Sequence, residues 1–436
     1  MREHKEFEVG GRFDAVERSR GKSPRKRRTG KTWKILLSLF LICVSMYLIG
    51  SYSQIPFIKN TRETIIVTAW ETMRHRWIAK VFPPSVYKAV IARAQNAQYK
   101  QDNWNTDVSL IKPDDWLDNF IPYGDDTDWV SKVNVDKLDP ELRELPEDER
   151  YFYTLFYELD RDSVEDYLDD HPDVKANGYD HIDINETRIG GDGTSMRTKL
   201  GEKVLAIDAV NQILILEVDA DGSRGVLAIA KDATKLHLCP ASHIGEYGEY
   251  AGSIAKRNDG ILAMTGSGFI DNGGVGNGGD LAGFCMCGGK SYGNHYQELG
   301  YKRIELHEDN WFYVARAHDE KCGAGTTDAV EFKPALVVNG EKMDPDGWNG
   351  QNPRACIGQS SRSEILMLVV EGRRALSLGC SVEICADIFL AHDAITGLNM
   401  DGGSTAIMWY KGSYINRCSN NNTEGRHLPN AWIITR

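Results

Sequence analysis

An uncharged apolar run near the N-terminus, residues 35–52, is the feature that most constrains what this chain can form. Its length lies at the lower end of the roughly 17–25 residues that span a bilayer as a helix. A cleaved signal peptide is the alternative, but its apolar core has only about 7–15 residues and ends at a small-residue cleavage site. No Ala-x-Ala site follows this run. The run therefore predicts a transmembrane anchor.

The charge distribution predicts the orientation of that anchor. Residues 1–34 contain twelve Lys and Arg against five Asp and Glu, and the cluster Arg25-Lys26-Arg27-Arg28 precedes the run. Because positive charge stays on the cytoplasmic side, residues 1–34 are predicted to be a cytoplasmic tail and the rest extracytoplasmic. With the whole chain at −12, the part after residue 34 carries −19. So acidic a body argues against nucleic-acid binding, which needs basic patches. The predicted partner of residues 35–52 is the lipid bilayer.

The segment after the anchor, residues 53–150, contains two parts that differ in amino-acid composition. Residues 62–97 have scattered apolar positions that predict helices, divided at Pro83-Pro84 because proline interrupts a helix. Amphipathic helices just outside a membrane usually lie on it or pack on the next domain. Residues 98–150 are rich in Asp, Asn and Pro, which predicts an extended acidic linker or a loosely structured neck. The body of the chain is then residues 151–436.

This body has short Val-, Ile- and Leu-rich runs bounded by turn-forming residues, which is typical of strands. The predicted strands are Ile213–Val218, Val226–Ala230, Ile261–Met264, Ala335–Val338, Ile365–Val370, Ile407–Tyr410 and Trp432–Ile434. The predicted helices are Tyr151–Leu168, Tyr247–Arg257 and Ser381–Ala391, the last with Ser381 as N-cap. Strands outnumber helices without regular alternation. This pattern favours an α+β class, with a mixed β-sheet domain and a few packed helices following the transmembrane helix.

Eight of the nine cysteines lie outside the apolar run, at 239, 285, 287, 322, 356, 380, 385 and 418. An even number in an exported domain permits disulfides, whose pairing the sequence leaves open. A zinc site is the alternative, but the spacings are not those of zinc ligands. Most of these cysteines are predicted to be small buried apolar residues.

A glycine-rich loop at 265–280 follows a predicted strand. It lacks the helix that a dinucleotide-binding loop requires, so no organic cofactor is expected. Its side chains Asp271, Asn272, Asn277 and Asp280 suit sugar hydroxyls or a hard divalent cation such as calcium. A flexible surface loop is the alternative interpretation. The chemistry of these side chains favours a binding loop.

A second glycine-rich segment, Asn399–Thr405, contains Asp401 followed by Gly402 and Gly403. Taken alone, a β-hairpin turn explains Asp-Gly-Gly as well as an active-site loop does. A third feature is Arg354, a permanently charged planar donor suited to phosphate, for which a surface ion pair is the alternative.

These segments, taken in order, resemble the phosphodiester glycosidase family, whose bacterial members are often described as exopolysaccharide biosynthesis proteins. The matching segments are 265–280, 334–340, 353–358, 369–373, 379–383, 399–404 and 425–432. The resemblance covers roughly residues 200–436. Three positions depart from the family pattern: Thr265 stands where asparagine is usual, Ala355 where threonine is usual, and His392-Asp393 precedes Ala394 where Gly-Ala is common.

The resemblance implies hydrolysis of the bond between a sugar's anomeric carbon and a phosphodiester oxygen, in a cell-surface or exopolysaccharide glycan or glycolipid. It implies Asp401 as the catalytic carboxylate, Arg354 as a phosphate clamp and Glu383 as a second carboxylate. For Glu383 the alternative is an ordinary charge at a helix N-terminus. The implied substrate-binding residues are Gly402, Gly403, Ser404, Thr265, Ser267, Asn277, Asp280 and Asn399.

Two other functions remain open at this point. A serine hydrolase would use Ser267 or Ser404 with His243 or His392, although the Gly-x-Ser-x-Gly pattern is absent. A cell-surface polysaccharide-binding protein on the same fold would bind glycans without turnover.

Overall fold

The apolar run forms a helix in the computed structural model, which describes residues 29–436 apart from 73–74, 101–103, 111–133, 272–274, 319–320, 344–349, 375–376 and 421. Helix α1 spans Thr29–Tyr52. Among the described residues, its Trp33–Tyr52 stretch is the one helix long and apolar enough to cross a bilayer. A single-pass anchor and a signal sequence both fit this helix. The basic cluster at 25–28 lies outside the described residues.

The chain divides into two compact units, 1–53 and 54–436. The helices predicted between 62 and 97 belong to the second unit, together with the body. Its helices are α2 (Pro56–Glu71), α3 (Arg76–Ala79), α4 (Pro84–Lys100), α5 (Pro140–Arg143), α6 (Glu147–Leu155), α7 (Arg161–Asp170), α8 (Pro172–Lys175), α9 (Ala251–Arg257) and α10 (Val382–Ala391).

Three antiparallel sheets form the rest of the second unit. The nine-stranded sheet has the spatial order β1 (Asp183–Asn185), β2 (Lys203–Asp208), β3 (Ile213–Ala220), β4 (Ser223–Ala230), β15 (Ile365–Val370), β14 (Arg354–Ser360), β16 (Ala394–Asn399), β12 (Ala335–Val338) and β13 (Glu341–Lys342). One five-stranded sheet has the order β10 (Phe312–Arg316), β9 (Lys302–His307), β11 (Thr326–Phe332), β7 (Phe284–Cys287) and β8 (Lys290–Gly293). The other has the order β18 (Ser413–Tyr414), β17 (Met408–Tyr410), β6 (Gly260–Thr265), β19 (Asn430–Thr435) and β5 (Leu236–Pro240). The α+β class is confirmed, and each predicted strand overlaps an observed one.

The core lies on both faces of the nine-stranded sheet. Along β15, Leu366, Leu368 and Val370 pack into one apolar cluster, with α6 and α10. Ile365, Met367 and Val369 pack into a second cluster, with the two five-stranded sheets. Because successive side chains of a strand point to opposite faces, an uninterrupted apolar run is what a strand covered on both sides requires. Helix α10 begins as predicted, with the Ser381 hydroxyl accepting a hydrogen bond from the Ile384 N–H.

Helices α2, α3 and α4 form a helical hairpin with its own small core of Ile66, Val67, Val90 and Ile91. The described residues that follow it, 104–110, are bonded to the sheets rather than forming a loose linker. The Thr106 N–H donates to the Val314 carbonyl at 2.8 Å. Residues 104–107 therefore fasten the C-terminal end of the hairpin to the body, although this segment was predicted to be an extended linker.

Candidate active site

Three segments that are distant in sequence meet at one edge of the nine-stranded sheet. Strand β14 pairs with β15 and β16 in antiparallel register, with Arg354 opposite Val370 and Cys356 opposite Asn399. Antiparallel neighbours run in opposite directions, so the start of one strand lies beside the ends of the strands on either side of it. Arg354 at the start of β14 therefore lies near Arg373, which follows β15, and Asp401, which follows β16.

The turn after β16 is not a β-hairpin, because β16 and β17 belong to different sheets. It is held against the start of β14, where the Met400 N–H donates to the Ala355 carbonyl at 2.7 Å and the Gly403 N–H to the Pro353 carbonyl at 3.0 Å. Gly403 has a φ of +68°, and a Cβ there would lie 2.8 Å from the Arg373 guanidinium. Glycine is thus required at 403 both for its backbone conformation and for the close approach of Arg373.

A cavity of about 400 Å³ opens at this edge, within the size range of ligand sites. Its polar lining combines three carboxylates with four basic side chains, one of them Arg76 of the helical hairpin, and the hairpin also supplies apolar side chains. The lining residues include Asp401, Gly402, Gly403, Asn399, Arg354, Arg373, Lys333, Asn352, Glu298, Tyr301, Val67, Trp70, Glu71, Ile91 and Ala94.

Asp401 is the carboxylate of this edge. Burial raises its pKa from 3.8 to about 6, and hydrogen bonding from Thr405 and the charge of Arg426 offset part of that rise. A carboxylate with a pKa near 6 is ionised at neutral pH yet able to accept and release a proton. Perturbed pKa values of this kind are concentrated at functional sites.

Arg354, the predicted phosphate clamp, lines the cavity and makes hydrogen bonds through its Nε and Nη2 groups. Its Nε donates to the Cys380 carbonyl at 3.1 Å, and its Nη2 donates to the Gly350 carbonyl at 2.6 Å and to Glu71 at 3.2 Å. The side chain is buried, with 5% of its surface exposed. Arg354 thus lies in the cavity wall, and its hydrogen-bonding groups hold that wall together.

Arg373 is a second arginine of the sheet edge that lines the cavity. Its side chain is exposed, and the hydrogen bond seen within the described chain is a long one of 3.4 Å to the Asn352 side chain. Residue 373 lies in the segment 369–373 that resembles the family, but the sequence pattern indicates no role for it. A signal was available: an arginine directly after the central strand β15, at the edge where Asp401 was expected.

Lys333 supplies another positive charge to the cavity. Its ammonium lies 3.9 Å from the centre of the Tyr301 ring, which stacks on Tyr296 with ring centres 3.7 Å apart. Burial lowers the pKa of Lys333 from its ordinary value, and the neighbouring Glu298 raises it in part. Lys333 and Arg373 together give this side of the cavity the character of an anion site.

Glu71, at the end of α2, closes the cavity from the hairpin side. Its Oε2 accepts hydrogen bonds from Asn352 at 2.6 Å and from Arg354 at 3.2 Å. Two further bonds link the same helix to the same edge, from the Gln351 N–H to Thr68 and from Thr72 to Asn352. A segment predicted to be juxtamembrane is therefore part of the cavity wall.

Glu383 is not brought to the cavity. It lies in the first turn of α10 with 59% of its side chain exposed, 3.4 Å from the Lys342 ammonium. The alternative interpretation, an ordinary charge at a helix N-terminus, describes this position.

The described residues of the glycine-rich loop, 265–271 and 275–280, are not among those lining the cavity. The Thr265 hydroxyl donates to the Thr405 carbonyl, and Ser267 is held by the Asn430 side chain. Asn277 donates to the Glu246 carbonyl, and Asp280 lines a separate cavity beside Leu281 and Tyr292. These four predicted binding residues therefore support the site or lie elsewhere, and of Asn272 the structure describes nothing.

Ser404 is part-buried, is not among the residues lining the cavity, and its carbonyl accepts a hydrogen bond from the Cys418 thiol. The serines proposed for a serine hydrolase make no hydrogen bond to histidine within the described chain. Instead, His392 bonds to Glu202 at 3.0 Å, and His243 stacks on Tyr247.

The cysteines lie mostly in the interior of the protein. Seven of the eight cysteines outside α1 are buried and Cys322 is part-exposed, as predicted for small apolar residues. Cys380 and Cys385 have their sulfur atoms 3.4 Å apart. Across the described ranges, no group of three or more His, Cys, Asp or Glu side chains is arranged to hold a metal ion.

Comparison with known proteins assigns the C-terminal part of the chain. Residues 258–435 match the sequence model of the phosphodiester glycosidase family, a range that contains Asp401, Arg373, Arg354 and Lys333. Residues 258–435 are therefore similar to a phosphodiester glycosidase domain. The hairpin residues of the cavity, including Glu71 and Trp70, lie outside the matched range, so one wall of the cavity is formed by a part of the chain that the family model does not cover.

Relatives of this phosphodiester glycosidase domain are distant. The SPbeta prophage-derived uncharacterized protein YomE of Bacillus subtilis (strain 168) is 26% identical over 179 residues, which are 38% of this chain and 27% of that protein. The chain thus spans about a quarter of the length of this relative.

Solved structures are similar at low sequence identity. The catalytic domain of zebrafish N-acetylglucosamine-1-phosphodiester alpha-N-acetylglucosaminidase is 14% identical with a TM-score of 0.43, covering 51% of this chain and 82% of that one. A hypothetical protein from Synechocystis is 13% identical with a TM-score of 0.38, covering 53% of this chain and 63% of that one.

Proposed function

We propose that the cavity hydrolyses a sugar-1-phosphodiester, cleaving the bond between the anomeric carbon and the phosphodiester oxygen. The observation that carries this proposal is the pairing of Asp401, whose pKa is about 6, with the cations Arg373 and Lys333 in one cavity of about 400 Å³. A carboxylate for the sugar and cations for the phosphate are the two chemical requirements of the reaction.

In the proposed reaction, the ionised Asp401 carboxylate accepts a proton from water as the water oxygen bonds to the anomeric carbon. The carbon–oxygen bond to phosphate breaks, and the phosphate monoester leaves with the bonding electron pair. Since phosphate is already a good leaving group, it needs charge stabilisation more than protonation. Arg373 and Lys333 supply that stabilisation, and Arg354 keeps the wall beside them in place.

A direct test uses purified protein and a panel of sugar-1-phosphodiesters, with release of the free sugar as the readout, in the presence and absence of a chelator. Asp401→Asn is the test variant. Glu383→Gln is the matched control, because it also neutralises a carboxylate of the same domain but lies outside the cavity. Turnover that is lost in Asp401→Asn and kept in Glu383→Gln supports the proposal. Equal turnover in the two variants, or glycan binding without turnover by the parent protein, contradicts it.

We further propose that the protein is a single-pass membrane protein with residues 1–34 cytoplasmic and the domain outside, acting on a cell-surface or exopolysaccharide glycan. The support is the apolar helix Trp33–Tyr52 and the excess of basic residues before it. Mass spectrometry of the protein isolated from its native membrane tests the anchor. Retention of residues 1–52 supports it, and a mature chain starting after residue 52 contradicts it.

A further inference from the structure

The part of the helical hairpin after α2 differs sharply in charge from the body that follows it. Residues 72–100 contain six Lys and Arg and no Asp or Glu, whereas residues 101–436 carry 31 basic against 56 acidic residues, a net charge of −25. An acidic body with one basic element has a strongly asymmetric field. That element attracts an anionic partner, which the remainder of the body repels.

The end of the hairpin also exposes apolar side chains. Trp77 and Val81, four residues apart in and just after α3, are 64% and 54% exposed. Lys80 is exposed beside them, and so is Arg76, which also lines the cavity and donates through its Nε to the Trp70 carbonyl at 3.0 Å. We call these four residues the hairpin tip. Since the hairpin buries Ile66, Val90 and other residues in a core of its own, the exposure of the tip does not result from a missing core.

The combination of groups at the tip selects among anionic partners. Tryptophan concentrates at the boundary between lipid headgroups and acyl chains, where its ring is buried and its N–H stays hydrated. Lys and Arg next to an apolar surface bind anionic headgroups, each strengthening association by about fivefold. A nucleic acid or an acidic protein would also match the charge, but a membrane partner accounts in addition for the helix able to cross a bilayer that precedes the hairpin in sequence.

We propose that the hairpin tip is a lipid-binding surface that docks the enzyme body on an anionic bilayer. In sequence, only three residues separate α2 from the apolar helix that ends at Tyr52, which agrees with a membrane partner. The same hairpin contributes Val67, Trp70 and Ile91 to the cavity. Resting on the proposed hydrolase function, this arrangement favours a sugar-1-phosphodiester whose second ester is a membrane lipid.

Vesicle sedimentation tests the lipid surface independently of catalysis. Residues 54–436 are suitable, because they form one compact unit containing all the apolar clusters, and they lack the helix that would insert by itself. The protein is expected to sediment with vesicles of equal parts phosphatidylcholine and phosphatidylglycerol, and to remain in solution with phosphatidylcholine alone. Raised salt is expected to weaken binding, because it screens exposed charges.

Matched variants locate the surface. Lys80→Gln is expected to weaken binding about fivefold, whereas Lys256→Gln, at an exposed position on α9, changes the net charge equally and should leave binding unchanged. Trp77→Ser is expected to weaken binding further, with Leu200→Ser, a residue 61% exposed elsewhere, as its control. Circular dichroism confirms that each variant is folded.

Three outcomes would overturn the proposal: no sedimentation with anionic vesicles, equal loss in the tip variants and their controls, or sedimentation without vesicles that Trp77→Ser abolishes. The last result would make the tip a contact between copies of this chain. Hydrolysis of soluble substrates is measured separately, so binding without turnover would contradict the proposed function alone, and turnover without vesicle binding would contradict the lipid surface alone.

Discussion

Replacing Asp401 with asparagine should abolish hydrolysis and at the same time stabilise the protein. The pKa of this carboxylate is about 6 in the folded state, against 3.8 for an aspartate in water, because burial disfavours its charged form. Below pH 3.8 the group is protonated in both states and has no effect on the free energy of unfolding. Between pH 3.8 and 6 the unfolded state ionises first, so stability is lost as the pH rises, and above pH 6 the loss is constant.

The separation between the two pKa values corresponds to at most about 3 kcal/mol. Asp401 is partly exposed, so solvent screens some of this penalty, and asparagine cannot keep every hydrogen bond that the carboxylate accepts. We therefore expect Asp401→Asn to raise the free energy of unfolding by about 1–2 kcal/mol at neutral pH. Near pH 4 the gain should vanish. The loss of hydrolytic rate should be about a thousandfold or more.

The assay is denaturant unfolding of the parent and the variant at about pH 4 and at about pH 8, on either side of the titration. Glu383→Gln serves as the control, because its exposed carboxylate should give a change of less than about 0.5 kcal/mol at both pH values. In the parent, kcat/KM should rise with pH through about 6, since the ionised carboxylate is the reactive form. A variant that is less stable than the parent by the same amount at both pH values would refute the reasoning. Asp401 would then be a structural hydrogen-bond acceptor of the turn.

The remaining predictions concern the cations and the hairpin. Arg373→Lys should raise KM for a sugar phosphodiester about tenfold, because lysine lacks the planar paired donors of arginine. Arg374→Lys, the control next in the chain, should leave KM unchanged. Equal KM values for the two variants would show that Arg373 does not contact the substrate. Glu71→Gln should lower KM, because it removes a negative charge from the wall of an anion-binding cavity. It should also lower the melting temperature, because Arg354 loses a charged partner. An unchanged KM would mean that the substrate does not approach Glu71. Lys231→Met should lower the free energy of unfolding by about 3–5 kcal/mol, because it leaves Glu158 and Glu364 buried without the ammonium that lies 2.5 and 2.6 Å from them. A loss under about 1 kcal/mol in denaturant unfolding would contradict a stabilising role for this buried cluster.

Local signals in the sequence predicted the elements of this protein well. The N-cap Ser381 and the first turn of α10 depend on neighbouring residues, so the start of that helix could be predicted. The strand Ile365–Val370 could be recognised from its β-branched and apolar composition and its flanking turns. The Asp401 loop was identified because it stood in order with other segments of the same family.

The sequence could not show how the charged side chains of the cavity differ in their hydrogen bonding. Arg354 and Arg373 are alike as isolated residues, and their roles differ because packing of the Cys380 carbonyl, the Gly350 carbonyl and Glu71 around Arg354 uses its donors. Those partners come from segments up to 283 residues away in the chain. No periodicity within one segment contains that information.

The apolar run at residues 35–52 determined by itself that a helix able to cross a bilayer precedes the body. Only the tertiary structure decided where the helices that follow this run pack. Their apolar positions predicted helices, but they could not predict that α2 would place Glu71 against Arg354 and form a wall of the cavity. The physical reason is that amphipathicity specifies that a helix buries one face, whereas the shape and charge of the surface it meets specify which partner that face packs against.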